Sequence, residues 1–397
     1  MRALAILSLC SMVQGAWAAA PVHMARHAAV NTGTDNDFFN TVAYGNGLYA
    51  AAGTDGVLYS STDGSHWTAE QGGIGLGGQY LDMIYANGTF LAIGIDGQRN
   101  THATRSVDGV TWKDALVPLP VSTLFQGVGF GNGSFVVTDT VAATSTDGVN
   151  WTINNILAGN TSDQFGAPVF ANSTFVTLGF DISNNPLLYV SKDNGATWSS
   201  GFSFASTDDP QIVVSNGSSF VLLGQDNACQ CGLVITSPDG VTWTRQSNAS
   251  ADVGQYFDAS CSDSQSFFSA PVIWDGSRFV TYTYTCISNT SAGLSAFSAY
   301  ISSDGVNWTA GATHSVAAGQ PDNNAFFSYH PVVAVPSGYL ATSDDALALD
   351  SSPDFANWAV AANLAPPPAP ASSGGGGMPG WPVLGVLACL TLLRRYR

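Results

Sequence analysis

One short phrase comes round seven times in this chain, and every copy ends in tryptophan. The copies are STDGSHW (61–67), SVDGVTW (106–112), STDGVNW (145–151), SKDNGATW (191–198), SPDGVTW (237–243), SSDGVNW (302–308) and SPDFANW (352–358). Successive tryptophans lie 45, 39, 47, 45, 65 and 50 residues apart. A repeat of that length with strand-like content marks an array or a propeller, in which no unit buries its apolar face alone. A hairpin precedes each phrase. YGNGLYAAAG (44–53), YANGTFLAIG (85–94), FGNGSFVVTD (130–139), FANSTFVTLG (170–179) and VSNGSSFVLLG (214–224) are the clearest, with WDGSRFVTYT and VPSGYLATSD in the last two units. Asn-Gly and Asp-Gly between alternating apolar residues suit a type I′ turn, which needs positive φ at both central positions. Each unit therefore reads as strand A, tight turn, strand B, a variable loop, strand C, the Ser-x-Asp-Gly turn, and strand D starting at tryptophan. Seven such units predict an all-β, seven-bladed propeller of four-stranded antiparallel blades over residues 39–365.

The phrase resembles the Asp-box (BNR-like) repeat of sialidases, some endoglucanases, sortilin-type receptors and many exported propellers. The fourth copy alone has the full S-x-D-x-G-x-x-W spacing; the others are one residue shorter, and the seventh also carries Phe355 where glycine is expected. The role expected of the box is structural. Its aspartate (Asp63, Asp108, Asp147, Asp193, Asp239, Asp304, Asp354) accepts backbone N–H groups across the turn, and its glycine takes the left-handed conformation. Its tryptophan (Trp67, Trp112, Trp151, Trp198, Trp243, Trp308, Trp358) is expected to wedge between neighbouring blades.

The A–B and C–D turns then share one face, so a site is sought among the B–C and D–A loops on the other. Six residues beyond the aromatic that opens strand B stand Asp55, Asp96, Asp181, Asp226 and Asp345, and Asp139 stands four beyond in the third unit. Pointing inward, these carboxylates would ring the channel mouth, drawing Ca²⁺ or accepting from sugar hydroxyls. The plainer reading makes them turn-formers of B–C hairpins. Tyr256, Tyr282 and Tyr284, in long insertions on the same face, are candidates to stack on a sugar ring or pack inside the insertions.

The sialidase resemblance implies an arginine triad, a tyrosine nucleophile, and a glutamate that activates it. The domain holds five arginines (Arg26, Arg99, Arg105, Arg245, Arg278), none in the Phe/Tyr-Arg-Ile-Pro context, and its one glutamate, Glu70, follows the first box. Sialidase chemistry is not expected, so the catalytic and metal sets stay empty. A glycosidase using two loop aspartates remains the alternative to a non-catalytic binding or scaffold module for glycan or protein.

The ends read as addresses. Residues 1–18 have the charge, apolar stretch and Ala16-Trp17-Ala18 exit of an export signal, followed by a lead-in over 19–38. At the other end PPPAPASSGGGG (366–377) is a linker, and an apolar segment with the RRYR tail fills 378–397. Glycines, short apolar stretch and basic tail resemble the GlyGly-CTERM sorting signals, which imply a processing protease and a cell-surface destination. A plain membrane anchor is the other reading. Four cysteines lie between these segments, and Cys229 and Cys231 are each expected to pair with Cys261 or Cys286 in an undecided order, a C-x-C metal site being the alternative. The formal net charge is −17, from 28 acidic and 11 basic residues, which excludes nucleic acid as an expected partner.

Overall fold

The alternation of apolar residues in each repeat lays down its strands in chain order. The computed structural model describes residues 39–363 apart from 76, 119–126, 155–163, 182, 184, 230, 247–271, 287–293, 316–331, 343–347 and 356–358. Blade 1 is β1 (Phe39–Gly45), β2 (Leu48–Gly53), β3 (Leu58–Ser61) and β4 (Thr68–Ala69). Blade 2 is β5 (Gln79–Ala86), β6 (Thr89–Ile95), β7 (Thr101–Ser106) and β8 (Lys113–Leu116). Blade 3 is β9 (Val128–Gly131), β10 (Ser134–Thr138), β11 (Ala142–Ser145) and β12 (Thr152–Asn154). In blade 4, β13 (Gln164–Phe165) and β14 (Val169–Ala171) both pair with β15 (Thr174–Phe180), followed by β16 (Pro186–Ser191) and β17 (Ser199–Phe202). Blade 5 is β18 (Asp208–Ser215), β19 (Phe220–Asp226), β20 (Cys231–Ser237) and β21 (Thr244–Arg245). Blade 6 is β22 (Ile273–Trp274), β23 (Phe279–Cys286), β24 (Leu294–Ser302) and β25 (Thr309–Ser315). Blade 7 is β26 (Val332–Val335), β27 (Gly338–Thr342), β28 (Ala348–Ser352) and β29 (Ala359–Asn363).

The innermost strands touch in turn: β1 meets β5, β5 meets β9, β9 meets β14, β14 meets β18, β18 meets β22, β22 meets β26, and β26 returns to β1. The ring is closed. The chain is a seven-bladed propeller, as the repeat predicts, with one departure. The first strand of blade 4 comes in two pieces, broken at the level where β1, β5 and β18 each shift register.

The tight turns take the expected geometry. Asn46-Gly47, Asn87-Gly88 and Asn132-Gly133 all have positive φ at both positions (52°/74°, 50°/70° and 48°/79°). The Ser-x-Asp-Gly turns share one hydrogen-bond pattern. In blade 3 the Asp147 Oδ1 accepts the N–H groups of Val149 and Asn150, both at 2.8 Å. Ser145 Oγ accepts from the Gly148 N–H at 2.9 Å and donates to Asp147 Oδ1 at 3.0 Å. Asp63, Asp108, Asp239 and Asp304 repeat the two-donor arrangement. The longer fourth turn absorbs its extra residue at Asn194 (φ 62°) and keeps the Thr197 bond to Asp193 at 2.8 Å. These donors hold the carboxylates well below their usual range, to about 2 at Asp108, Asp239 and Asp304. In blade 7, Asp354 keeps its hydrogen bond to Ser352 Oγ.

The tryptophans seal the seams between blades. Trp112 joins Ala50 and Leu58 of blade 1 to Tyr80, Met83 and Phe90 of blade 2. Trp243 packs in the same way between blades 4 and 5, and Trp308 between blades 5 and 6. Trp67 closes the ring where Phe39, Val42 and Tyr59 meet Leu340 and Leu349 of blade 7. Trp151 and Trp198 occupy the seams of blades 3 and 4. The indole N–H donates to the turn's glycine carbonyl at 2.9–3.1 Å in Trp67, Trp112, Trp198, Trp243 and Trp308, and that of Trp151 has no such partner. Trp358 lies outside the described residues.

Blade 7 solves its seam differently. In five turns a Cβ on the glycine would collide with the preceding blade, for instance 2.0 Å from Leu48 at Gly109 and 2.3 Å from Val221 at Gly305. Phe355 occupies that position with φ 67° and is fully buried, in a cluster with Val280 and Ala299 and edge-on to Tyr339 at 4.8 Å. Its left-handed backbone costs about 1 kcal/mol, which burial of the ring outweighs. Phe355→Gly is therefore expected to relieve the backbone yet destabilise the protein by about 2 kcal/mol net. Denaturant unfolding checks this, and a variant as stable as the wild type would remove the seam-filling role.

Among the described residues no helix is long and apolar enough to cross a membrane. The segments read from the sequence as targeting signals, 1–18 and 378–397, lie outside them, as does the 366–377 stretch. Cys229 is disulfide-bonded, while Cys261 and the side chains of Cys231 and Cys286 are not among those described.

Candidate functional site

β1 runs toward the A–B turn and β29 away from the C–D turn, so both ends of the ring and all B–C loops share the face opposite the clamps. Three of the carboxylates expected there, those of Asp96, Asp181 and Asp226, fold back onto their own loops. Asp96 Oδ1 accepts the N–H groups of Gln98 and Asn100, both at 2.8 Å, and Oδ2 accepts from the Asn100 side chain at 2.9 Å. Asp181 repeats this with Ser183 and Asn185. Asp226 accepts from Ala228 N–H at 2.9 Å, and its other oxygen meets Arg245, which also reaches Asp208 at 2.6 Å. Asp55 (φ 52°) takes the Gly77 N–H of the next connecting loop at 3.0 Å. Asp139 is buried at the end of β10, its N–H on the Val141 carbonyl. Such bonds hold three of these groups ionised: Asp96 falls to about 2, because its bonds to Asn100, Gln98 and His102 outweigh the burial that raises it, and Asp181 and Asp226 are also lowered.

No three His, Cys, Asp or Glu side chains among the described residues come together as a metal site. Asp345 and Tyr256 fall outside the description. Tyr282 and Tyr284 stand on β23 opposite Ala299 and Phe297, their side chains undescribed.

Blade 2 adds groups that the repeat pattern did not single out. His102 on β7 has a carboxylate at each ring nitrogen, Asp114 at 2.6 Å and Asp96 at 3.3 Å. Asp114 continues through Thr104 (2.8 Å) to the buried hydroxyl of Tyr80 (3.0 Å). Burial raises that phenol, and its hydrogen bonds to Thr104 and Ile74 only partly offset this. On the inner strand β5, Asp82 Oδ1 accepts the Met83 N–H at 2.8 Å, while Oδ2 crosses to blade 3 and accepts the Val128 N–H at 2.9 Å. Gly127 makes room for it, since a Cβ there would lie 2.6 Å from Oδ2. A register shift between Tyr80 and Asp82 turns the carboxyl toward that neighbour. Desolvation raises Asp82 to about 6 against the two backbone donors. The available signal for Asp82 was an acid inside QYLDMIYA, where the sister strands carry Thr41, Gly127, Ala167 and Ile212 at the same level.

No protein-family model matches the chain. No curated protein matches it either. Among solved structures it is similar to the GH74 xyloglucanase from Xanthomonas campestris, with TM-score 0.50 and 14% identity over 80% of this chain and 52% of that one. It is also similar to an ancestral GH74 enzyme, with TM-score 0.51 and 11% identity over 82% and 46%. The WD40 β-propeller domain of Doa1 gives TM-score 0.50 and 13% identity over 79% and 92%. The likeness is one of fold. The chain spans about half the length of the two GH74 enzymes, and at such identities the propeller is what is shared.

Proposed function

We propose that this chain is an exported, surface-sorted propeller of the Asp-box type, acting as a non-catalytic binding or scaffold module for a glycan or a protein. The supporting observation is the state of the loop-face carboxylates. Asp96, Asp181 and Asp226 are fixed by their own backbones and held ionised, which makes them rigid acceptors and poor proton donors. Sugar hydroxyls and peptide N–H groups are the donors that such a face suits. On this reading the export signal, the linker and the apolar tail deliver the ring to the cell surface. A bridge between Cys229 and Cys261 or Cys286 would tie the blade 5 loop to the long insertions.

A second reading draws on Asp82. A carboxyl near pKa 6 on the inner wall is suited to general-acid catalysis of glycoside cleavage. A glycan array and a panel of chromogenic glycosides, run on the purified protein, separate the two. Retention of a glycan or protein ligand without turnover is the expected result. Turnover abolished by Asp82→Asn would establish the hydrolase instead. A melting temperature that falls on chelation would support a calcium-dependent adhesive role.

A further inference from the structure

The seven blades provide an internal comparison: a residue type that six sister positions do without is not required by the fold. The residue before the clamp serine is Ser60, Thr144, Val190, Thr236, Ile301 or Ser351 in six blades, and Arg105 in blade 2. The residue after the tryptophan is Thr68, Thr152, Ser199, Thr244, Thr309 or Ala359, and in blade 2 it is Lys113. Arg105 on β7 and Lys113 on β8 are direct cross-strand partners. Like charges placed opposite each other in a sheet repel, and no described acid pairs with either one. Two other described arginines are neutralised, Arg245 by Asp208 and Asp226, and Arg278 by Asp275.

A second observation falls on the same hairpin. Its aliphatic side chains Val107, Leu116 and Val110 are 58%, 58% and 52% exposed, the highest values among the exposed large apolar residues described. Val107 stands where the other clamps carry Thr62, Thr146, Lys192, Pro238, Ser303 and Pro353. β8 is also the last strand of its sheet, so its outer edge offers unpaired backbone groups; Gln71 bridges to Thr111 just before it begins.

We infer that the outer hairpin of blade 2 is a docking surface for an extended, acidic protein segment bearing aliphatic side chains. Such a segment adds to the β8 edge through main-chain hydrogen bonds, sets carboxylates against Arg105 and Lys113, and covers Val110 and Leu116. The hairpin's own acids are engaged elsewhere, Asp108 by the N–H groups of its turn and Asp114 by His102 and Thr104, which leaves the facing cations as the charge offered to a partner in a chain of net charge −17. Its cations stand toward the turn end of the hairpin, while Leu116 stands opposite His102 toward the loop face.

The test uses the full chain and a capped nonapeptide of alternating aspartate and valine, with fluorescence anisotropy as the readout. The wild type is expected to bind it and to lose affinity steeply with added salt. The Arg105→Thr/Lys113→Thr double variant should bind at least ten-fold more weakly while melting no lower than the wild type, since the repulsive pair has gone. Lys113→Glu, a change at an exposed residue, should weaken binding in the same direction. A peptide with proline at every second position should not bind, because it cannot join the edge. The proposal is overturned if the double variant binds as tightly as the wild type, or if a control nonapeptide with lysine in place of each aspartate binds equally well. It is also overturned if millimolar peptide gives no signal, or if polygalacturonate binds the hairpin and the peptide does not.

Discussion

Trp308→Ala is expected to cost about 3–5 kcal/mol of stability. The indole is 5% exposed and fills the seam where Val214, Val221, Leu223 and Val234 of blade 5 meet Val272 and Phe279 at blade 6. Its N–H also ties the clamp shut on the Gly305 carbonyl at 3.1 Å. Alanine leaves a void between two sheets whose backbones are fixed by their own ladders, so the site cannot collapse to fill it. The loss should also be local. In a repeat protein each unit leans on its neighbours, and hydrogen exchange should rise in blades 5 and 6 before the rest. A shift in unfolding free energy below about 1 kcal/mol would show that the indole is not a structural wedge.

The second large effect is a pH dependence with one identified source. Desolvation raises Asp82 from 3.8 to about 6, so between those values the folded protein binds more proton than the unfolded chain. Stability must then fall as pH rises through that window, by about 3 kcal/mol for a shift of this size. The clamp aspartates act with the opposite sign. Their depressed values supply stability that is present above pH 4 and is lost as pH falls toward 2. Melting temperature should therefore pass through a maximum near pH 4. Asp82→Asn should flatten the limb between pH 4 and 6 and leave the acid limb unchanged, less one backbone hydrogen bond that a single amide oxygen cannot replace. An unaltered limb in that variant would assign the dependence elsewhere.

What the sequence disclosed and what it hid divide along the distance between partners. The Ser-x-Asp-Gly-x-x-Trp turn closes its bonds within four residues, so Asp147 with Val149 and Asn150 could be read from the phrase itself. The Asn-Gly turns were legible for the same reason, and seven copies of one wedge implied a ring. Asp82 was not legible, because its meaning lies in Val128 on the next blade and in the room made by Gly127. The break between β13 and β14 was not legible either, because it depends on where the two pieces meet β15. Phe355 looked like a lapse from the pattern; only the buried cluster around Val280 shows it as a filling. The Arg105–Lys113 pair was masked by averaging, since an overall charge says nothing about which two cations face each other across a hairpin.

Every sheet in the ring is built from one continuous stretch of chain, and none borrows a strand from the far terminus. The junction where Phe39 and Val42 meet Leu340 and Leu349 thus joins the two extremes of the fold through side chains alone. Six other junctions can zip up as local events while the polypeptide emerges, but this one must wait for the last sheet. It is consequently the junction that no connecting segment spans, where packing alone keeps the circle shut.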